Sequence, residues 1–354
     1  MTRVTSKEPL NEVVVPVTAR KPSPRIAKKR VTGLSSARTR LKPAPVRAAA
    51  WSKSKPIALK PGATVDDALT VVITACLTHW KKNLPAAVDG RAPEGLHQVR
   101  VSLRRLRSAL TAFKAFIPPA QRESLNTEAK WLLSELGPVR DLDVFVREVA
   151  APLAGRLFDN ADLVQLMRSA RAAQGKAQTT ATRALESVRA KRFAARMEAW
   201  RSGHGWRDGD SKRDARKTDA ADFAKRLVNR RVDKVLTEYD DIETLSAEAR
   251  HDLRIAVKKT RYAIEFFQDL LPTKRAQRIA VILKPLQDSL GHLNDLEVAE
   301  RTVSALINQV DSGLARRQVA AGGNAVGAYH KGAAADAEPE TFKLWRKLKK
   351  APTL

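Results

Sequence analysis

From Thr64 onward, apolar residues recur at intervals of three and four, and runs of alternating β-branched residues are almost absent. That period of about 3.6 predicts helices, and abundant Ala, Leu, Arg, Lys and Glu with few glycines support it. The expected fold class is all-α. Helices are predicted over residues 65–82, 94–116, 119–136, 138–149, 161–200, 219–239, 246–270, 274–290, 293–311 and 339–350. Residues 203–217, with clustered Gly, Asp and Arg, read as a linker that divides the helical part almost in half.

The halves repeat each other. A shift of 154 residues places His97 on His251, Arg100 on Arg254, Arg104 on Lys258, Arg105 on Lys259 and Arg107 on Arg261. The same shift, without a gap, matches Phe113 to Phe267, Lys130 to Lys284, Gly137 to Gly291 and Asp141 to Asp295. Over the 48 residues from His97 to Val144, 13 are identical, against about three expected by chance, so the chain is internally duplicated.

Each copy carries a helix with two opposed faces. Val99, Leu103, Leu106, Leu110 and Phe113 form an apolar stripe in the first, opposite His97, Arg100, Arg104 and Arg107, with Arg105 on the flank. In the second, Leu253, Val257, Ile264 and Phe267 face inward while His251, Arg254, Lys258 and Arg261 face outward. No acid is interleaved among the cations of the basic turns, so like charges repel without local relief. A linear polyanion along that face would offset the repulsion through charge-assisted hydrogen bonds. A second repeated element reads LGPVRDLDV and then LGHLNDLEV. Its glycines suggest close helix approach, and Asp141 and Asp295 suggest carboxylates that orient a neighbouring Arg or Lys. Pro138, without a counterpart proline, predicts a kink or restart in the first copy.

Composition sharpens the choice of partner. The 354 residues hold 65 Lys+Arg against 38 Asp+Glu, a formal net charge of +27, which points to a polyanion. Residues 1–60 contain 15 Lys+Arg, two acids and seven of the 18 prolines, and predict a disordered basic tail. They account for +13, leaving +14 on the helical part, which is therefore basic in its own right. One cysteine, Cys76, excludes a disulfide framework and fits a reducing cytoplasm. No apolar stretch is long enough for a membrane span.

The two paired motifs, from His97 to Arg107 with LGPVRDLDV and from His251 to Arg261 with LGHLNDLEV, resemble the CHAD family, the conserved histidine α-helical domain. The resemblance covers about residues 61–350. It implies a duplicated helical bundle, two four-helix bundles related by a pseudo-twofold axis, around a basic cleft that binds inorganic polyphosphate. The repeats would span about 61–207 and 218–354. Carried over residue by residue, polyphosphate contacts fall to His97, Arg100, Arg104, Arg105, Arg107, Lys130 and Arg140 in one half. In the other they fall to His251, Arg254, Lys258, Lys259, Arg261 and Lys284, with Asn294 standing where the first half has Arg140. Granule association in the cytoplasm follows from the same resemblance.

Other readings rank lower. The Glu-x-Glu-x-Lys strand of a fused triphosphate tunnel domain is absent from the sequence, so a polyphosphate or triphosphate hydrolase is the least expected reading and non-catalytic binding, with no cofactor, is expected instead. Joint metal ligation by His97 and His251 is opposed by the surrounding cations. Nonspecific DNA or RNA binding through residues 1–60 is the main rival, although aromatic stacking residues and base-reading Asn or Gln are missing from the basic helices. Adhesion to an anionic membrane lacks an exposed apolar helix face.

Overall fold

The computed structural model describes residues 47–157, 159–208, 213–351 and 354. α1 (Val65–Asp89) begins with a reciprocal capping box between Thr64 and Asp67 and ends at Gly90, whose φ of 69° is left-handed. It passes the expected stop at 82 and continues through Pro85, because burial of Ala86 and Ala87 outweighs the hydrogen bond the proline lacks. α2 (Pro93–Ala112) opens with proline in its first turn. α3 (Pro119–Glu135) stops before Gly137, and α4 (Gly137–Val144) restarts with Pro138 in its first turn. A π-helical turn, Phe145–Ala150, then leads into α5 (Ala151–Arg156).

The helix expected over 161–200 is two helices, α6 (Ala161–Glu186) and α7 (Val188–Ser202). Ser187 separates them with extended ψ, its hydroxyl accepting from the Ala190 N–H and so capping the second. After the short α8 (Arg213–Arg216) come α9 (Ala220–Glu238), capped by Asp219, and α10 (Ala247–Phe266), capped by Ser246. The two helices expected between 274 and 311 are one, α11 (Thr273–Asn308), which runs through Gly291. At the shift of 154 residues, α2 coincides end to end with α10, and α3 and α11 start at equivalent positions.

α12 (Gly313–Lys349) extends far beyond the expected 339–350. Its glycines weaken intrinsic helix propensity but permit contact. A Cβ on Gly322 would lie 2.8 Å from the Asp162 carbonyl oxygen of α6, and one on Gly323 would meet the Val303 side chain of α11. Close packing against both neighbours stabilises a helix that propensity alone disfavours.

Burial follows the two stripes: Val99, Leu103, Leu106, Leu110 and Phe113, then Leu253, Val257, Ile264 and Phe267, are all in the core. Phe113 and Phe267, equivalent in the two copies, meet at 5.7 Å between ring centroids, and Phe223 of α9 packs on both. Two hydrophobic cores result, and neither follows the sequence halves. The larger joins α1, α2 and α3 to α9, α10 and parts of α11 and α12. The smaller joins α4, the π turn and α6 to other parts of α11 and α12, through residues such as Phe145, Leu166, Leu306 and Val319.

Two expected boundaries move. Residues 47–60 are not a tail: Ile57 and Leu59 are buried, and Ser52 donates its N–H to Asn83 and accepts from His79 and Asn83 at its carbonyl. The remainder of the expected tail lies outside the described residues. In the expected linker, Trp206 is buried edge-on against Trp200 and donates to Asp66, which Arg207 also contacts. Burial of a whole indole fixes that segment to the start of α1. Among the described residues, no helix is long and apolar enough to cross a membrane.

Helix contact makes a direct prediction. A Cβ on Gly95 would lie 2.6 Å from the Ala86 backbone, whereas one on Gly175 meets nothing within 4 Å. Gly95→Ala is expected to destabilise by about 1–3 kcal/mol through overpacking. Gly175→Ala is expected to stabilise by up to about 1 kcal/mol through helix propensity. Urea unfolding of the two variants measures both.

Candidate anion site

α2 and α10 expose their cationic faces to one cavity of about 600 Å³. Spacing of three and four residues brings His97, Arg100 and Arg104 to its wall from α2, and Arg254, Lys258 and Arg261 from α10. α4 adds Arg140 and Asp141, the π turn adds Glu148, and α11 adds Gln287, Asp288 and Asp295. Ser54 reaches the wall from the packed N-terminal segment. Seven Lys or Arg and five carboxylates line the cavity, so its character depends on which cations are already paired.

Three are engaged. Arg105 is 6% exposed, donates to Glu265 at 2.8 Å and lies 5.4 Å from the Phe266 ring centre. Arg261 pairs with the same Glu265 at 3.0 Å and also donates to Gln287 at 3.3 Å. Arg140 contacts Glu148 at 3.1 Å. The other cations are less well satisfied: among the described residues, the buried Nε atoms of Arg100, Arg104 and Arg254 have no acceptor, and His97 Nδ1 has no partner. Arg100 keeps one bond, from Nη1 to the Leu133 carbonyl at 2.7 Å.

The repeated glycines lie under these arginines. A Cβ on Gly137 would stand 3.7 Å from Arg100 Nη1, and one on Gly291 would stand 3.9 Å from Arg254 Nε. Their neighbours are guanidinium groups, not another helix backbone as the sequence suggested. Asp141 stands near Arg100, Arg301 and Arg140, and Asp295 near Arg254 and Lys258, as carboxylates that orient cations would.

The unliganded cavity disfavours its own charge. Burial, followed by Arg104, Arg254 and Arg261, pushes the Lys258 ammonium down to about 7, against a weak pull from Asp295. Burial and then Arg104 lower Arg100 to about 10. His97 falls to about 4 through burial and then Arg140, with Arg104 and Arg100 acting in the same direction and Glu94 opposing. Asp141 is raised, first by burial and further by Asp295, while Arg100, Arg301 and Arg140 hold it down.

The other residues singled out from sequence lie outside this cavity lining. Arg107 donates to Asn126 at 2.8 Å, and His251, Lys259, Lys130 and Lys284 are exposed. The Asn294 side chain lies outside the described residues. Glu265, Glu148 and Asp288 were missed; Glu265 alone had a local signal, four residues after Arg261 on the same helix face. Its capture of Arg105, 160 residues away, had none.

Comparison with known proteins places this geometry. The CHAD domain family model matches residues 71–304. The crystal structure of the CHAD domain from the plant Ricinus communis aligns with a TM-score of 0.72 at 29% identity, covering 86% of this chain and 98% of that one. PptA from Streptomyces chartreusis shares the fold, with a TM-score of 0.60 at 16% identity over 80% of this chain and 100% of that one. No curated protein matches.

Lys258→Met is expected to stabilise the unliganded protein. Lys258 holds its proton less tightly folded, at about 7, than at the ordinary 10.5, so the penalty for its charge is full below pH 7 and fades as pH rises to 10.5. Thermal unfolding should therefore show a clear gain at pH 6 and little at pH 10.

Proposed function

The chain belongs to the CHAD domain family, and we propose that it binds inorganic polyphosphate in the cavity between α2 and α10, without chemistry on the polymer. One observation carries the reading. Three buried guanidinium Nε atoms and an imidazole nitrogen surround one cavity and find no partner in the protein among the described residues. The guanidinium groups that bear these atoms line the cavity with no carboxylate ion pair among the described residues, so an anion there offsets the cost of holding their charge out of water. Phosphate oxygens suit the role, since each bears charge and arginine offers paired donors in a fixed plane.

The carboxylates fit binding better than catalysis. Glu265 and Glu148 are committed to arginines, and Asp141 lies between cations. Association with polyphosphate granules in the cytoplasm is the cellular setting that this reading suggests. Nucleic acid enters as the competitor in the test.

Arg100→Ala and Arg254→Ala should each leave helicity unchanged and weaken binding by the worth of a charge-assisted contact, about 1.5–3 kcal/mol. Titration with polyphosphate, double-stranded DNA and orthophosphate at matched ionic strength measures this. Equal affinity for DNA, with the same response to both variants, would overturn the reading.

Binding should also take up protons. A bound polyanion raises Lys258 from about 7, so the Lys258 contribution to affinity is flat below that pH and falls as pH climbs from 7 toward the bound value. His97 adds a second, more acidic window that opens above about 4. Calorimetry in buffers of different ionisation enthalpy, with the polymer's own protonation subtracted, measures the uptake. Lys258→Arg, which keeps its proton, should abolish the component above pH 7, while His251→Gln should leave it intact.

A further inference from the structure

α6 carries a second seam beside the one it turns to the core. Leu163, Leu166, Ala170 and Ala173 face inward and are buried. Val164, Met167, Arg168 and Arg171 recur at the same spacing of three and four on the adjoining face, about 10 Å from first to last. With Ala154 of α5 and Leu157 at its C-terminal end, they line a groove of about 410 Å³ in which Leu163 is also exposed to the lining. Of the six large apolar side chains exposed among the described residues, two share this groove: Leu157 is 48% exposed and Val164 46%. Single exposed apolar residues are ordinary, but two gathered with Met167 along one groove mark a place of contact.

The cations beside them are unrelieved. Arg168 and Arg171 are exposed and make no ion pair among the described residues. No acid stands three or four residues from either, so two like charges sit one turn apart on the same face. Arg156, next to Leu157 in the chain, is committed elsewhere, 5.3 Å from the Tyr329 ring centre of α12. The groove therefore combines an apolar strip with a pair of free positive charges along one edge.

We infer that this groove docks an amphipathic helix of a partner protein, one that carries apolar residues at three- and four-residue spacing flanked by two carboxylates one turn apart. The apolar ridge covers Leu157, Val164 and Met167, and the carboxylates pair with Arg168 and Arg171. A seam two turns long on one helix is matched by a second helix laid along it. Charge selects this occupant. A second copy related by a twofold axis would set one cationic seam against the other, and a polyphosphate chain has no apolar surface to bury. The inference is independent of the polyphosphate cavity, to which α5 and α6 contribute no described residue.

Selection from a phage-displayed library of helical peptides tests it, with the full-length protein as bait and an Arg168→Glu, Arg171→Glu double variant used to clear peptides that bind elsewhere. Surviving peptides are expected to carry Leu or Ile at that spacing with Glu or Asp beside it. Their affinity should fall at least about tenfold in the double variant, and exchanging the peptide acids for lysine should restore binding to that variant. Leu157→Ser should weaken them about fivefold through lost burial. Both arginines are exposed, so thermal unfolding of the double variant should match the parent. Survival of no peptide, or of peptides without acids that the charge exchange does not rescue, overturns the docking site. Binding of the parent to phosphatidylglycerol vesicles, lost in the double variant while no peptide survives, would assign the groove to a membrane surface instead.

Discussion

Cations that share one cavity without enough partners are the constraint around which this molecule is arranged. Two unit charges about 6 Å apart repel by about 3 kcal/mol at an effective dielectric of about 20. Here Arg100, Arg104, Arg254 and Lys258 converge from two helices, and Lys258 responds by letting its proton go near neutrality. Such a cluster persists only if the helices bearing it are held independently of it. The opposite faces of α2 and α10 provide that hold, with Phe113, Phe223 and Phe267 packed where the copies meet. Removing one of those aromatics would cost core burial on the order of several kcal/mol, comparable to the repulsion of one such pair.

Partial neutralisation tunes what remains. Glu265 and Glu148 take up Arg105, Arg261 and Arg140 at the borders of the cavity, while the donors of Arg100, Arg104 and Arg254 stay unmet. A cavity with all its cations paired would be stable and inert toward anions. One with none paired would add several more repulsive terms to a fold whose total stability is only about 5–15 kcal/mol. The observed division keeps the unmet donors together on facing helices. Arg100 and Arg254 each lie over a glycine of the neighbouring helix, at a distance that a Cβ would meet as ordinary van der Waals contact.

Most of this frame could be read from the sequence because its signals are local or repeated. The apolar stripes of α2 and α10 are periodic, and the 154-residue shift marks the cations that matter by their recurrence; Arg100 with Arg254 and Arg104 with Lys258 are together in the cavity. What escaped depends on tertiary contact. In α12, Gly322 and Gly323 sit where it packs against α6 and α11, so residues that allow contact also help to mask the helix. Residues 47–60 look like tail by composition, but Ile57 and Leu59 are enough to bury part of them. The repeat also misled: it implied matched histidines, whereas His97 borders the cavity and His251 is exposed. Equivalent positions need not keep equivalent surroundings after duplication.

That divergence bears on how the proposed site would distinguish a polymer from a single phosphate. The unmet donors are spread over α2 and α10, on Arg100 and Arg104 in one case and Arg254 in the other. One orthophosphate presents its oxygens at a single point, whereas these arginines stand on two helices and on successive turns of one of them. A chain of linked phosphates loses its translational freedom once and then makes each further contact as an intramolecular event, so separated donors favour length. Nucleic acid is also a chain of phosphates, but each of its charges carries a sugar and a base. The cavity of about 600 Å³ is lined mainly by charged side chains, with Tyr262 as its large aromatic ring among the described residues, and offers a base little to stack on. Burying those groups without stacking partners, set against equal charge, is the physical basis on which such a cavity can prefer the bare polymer.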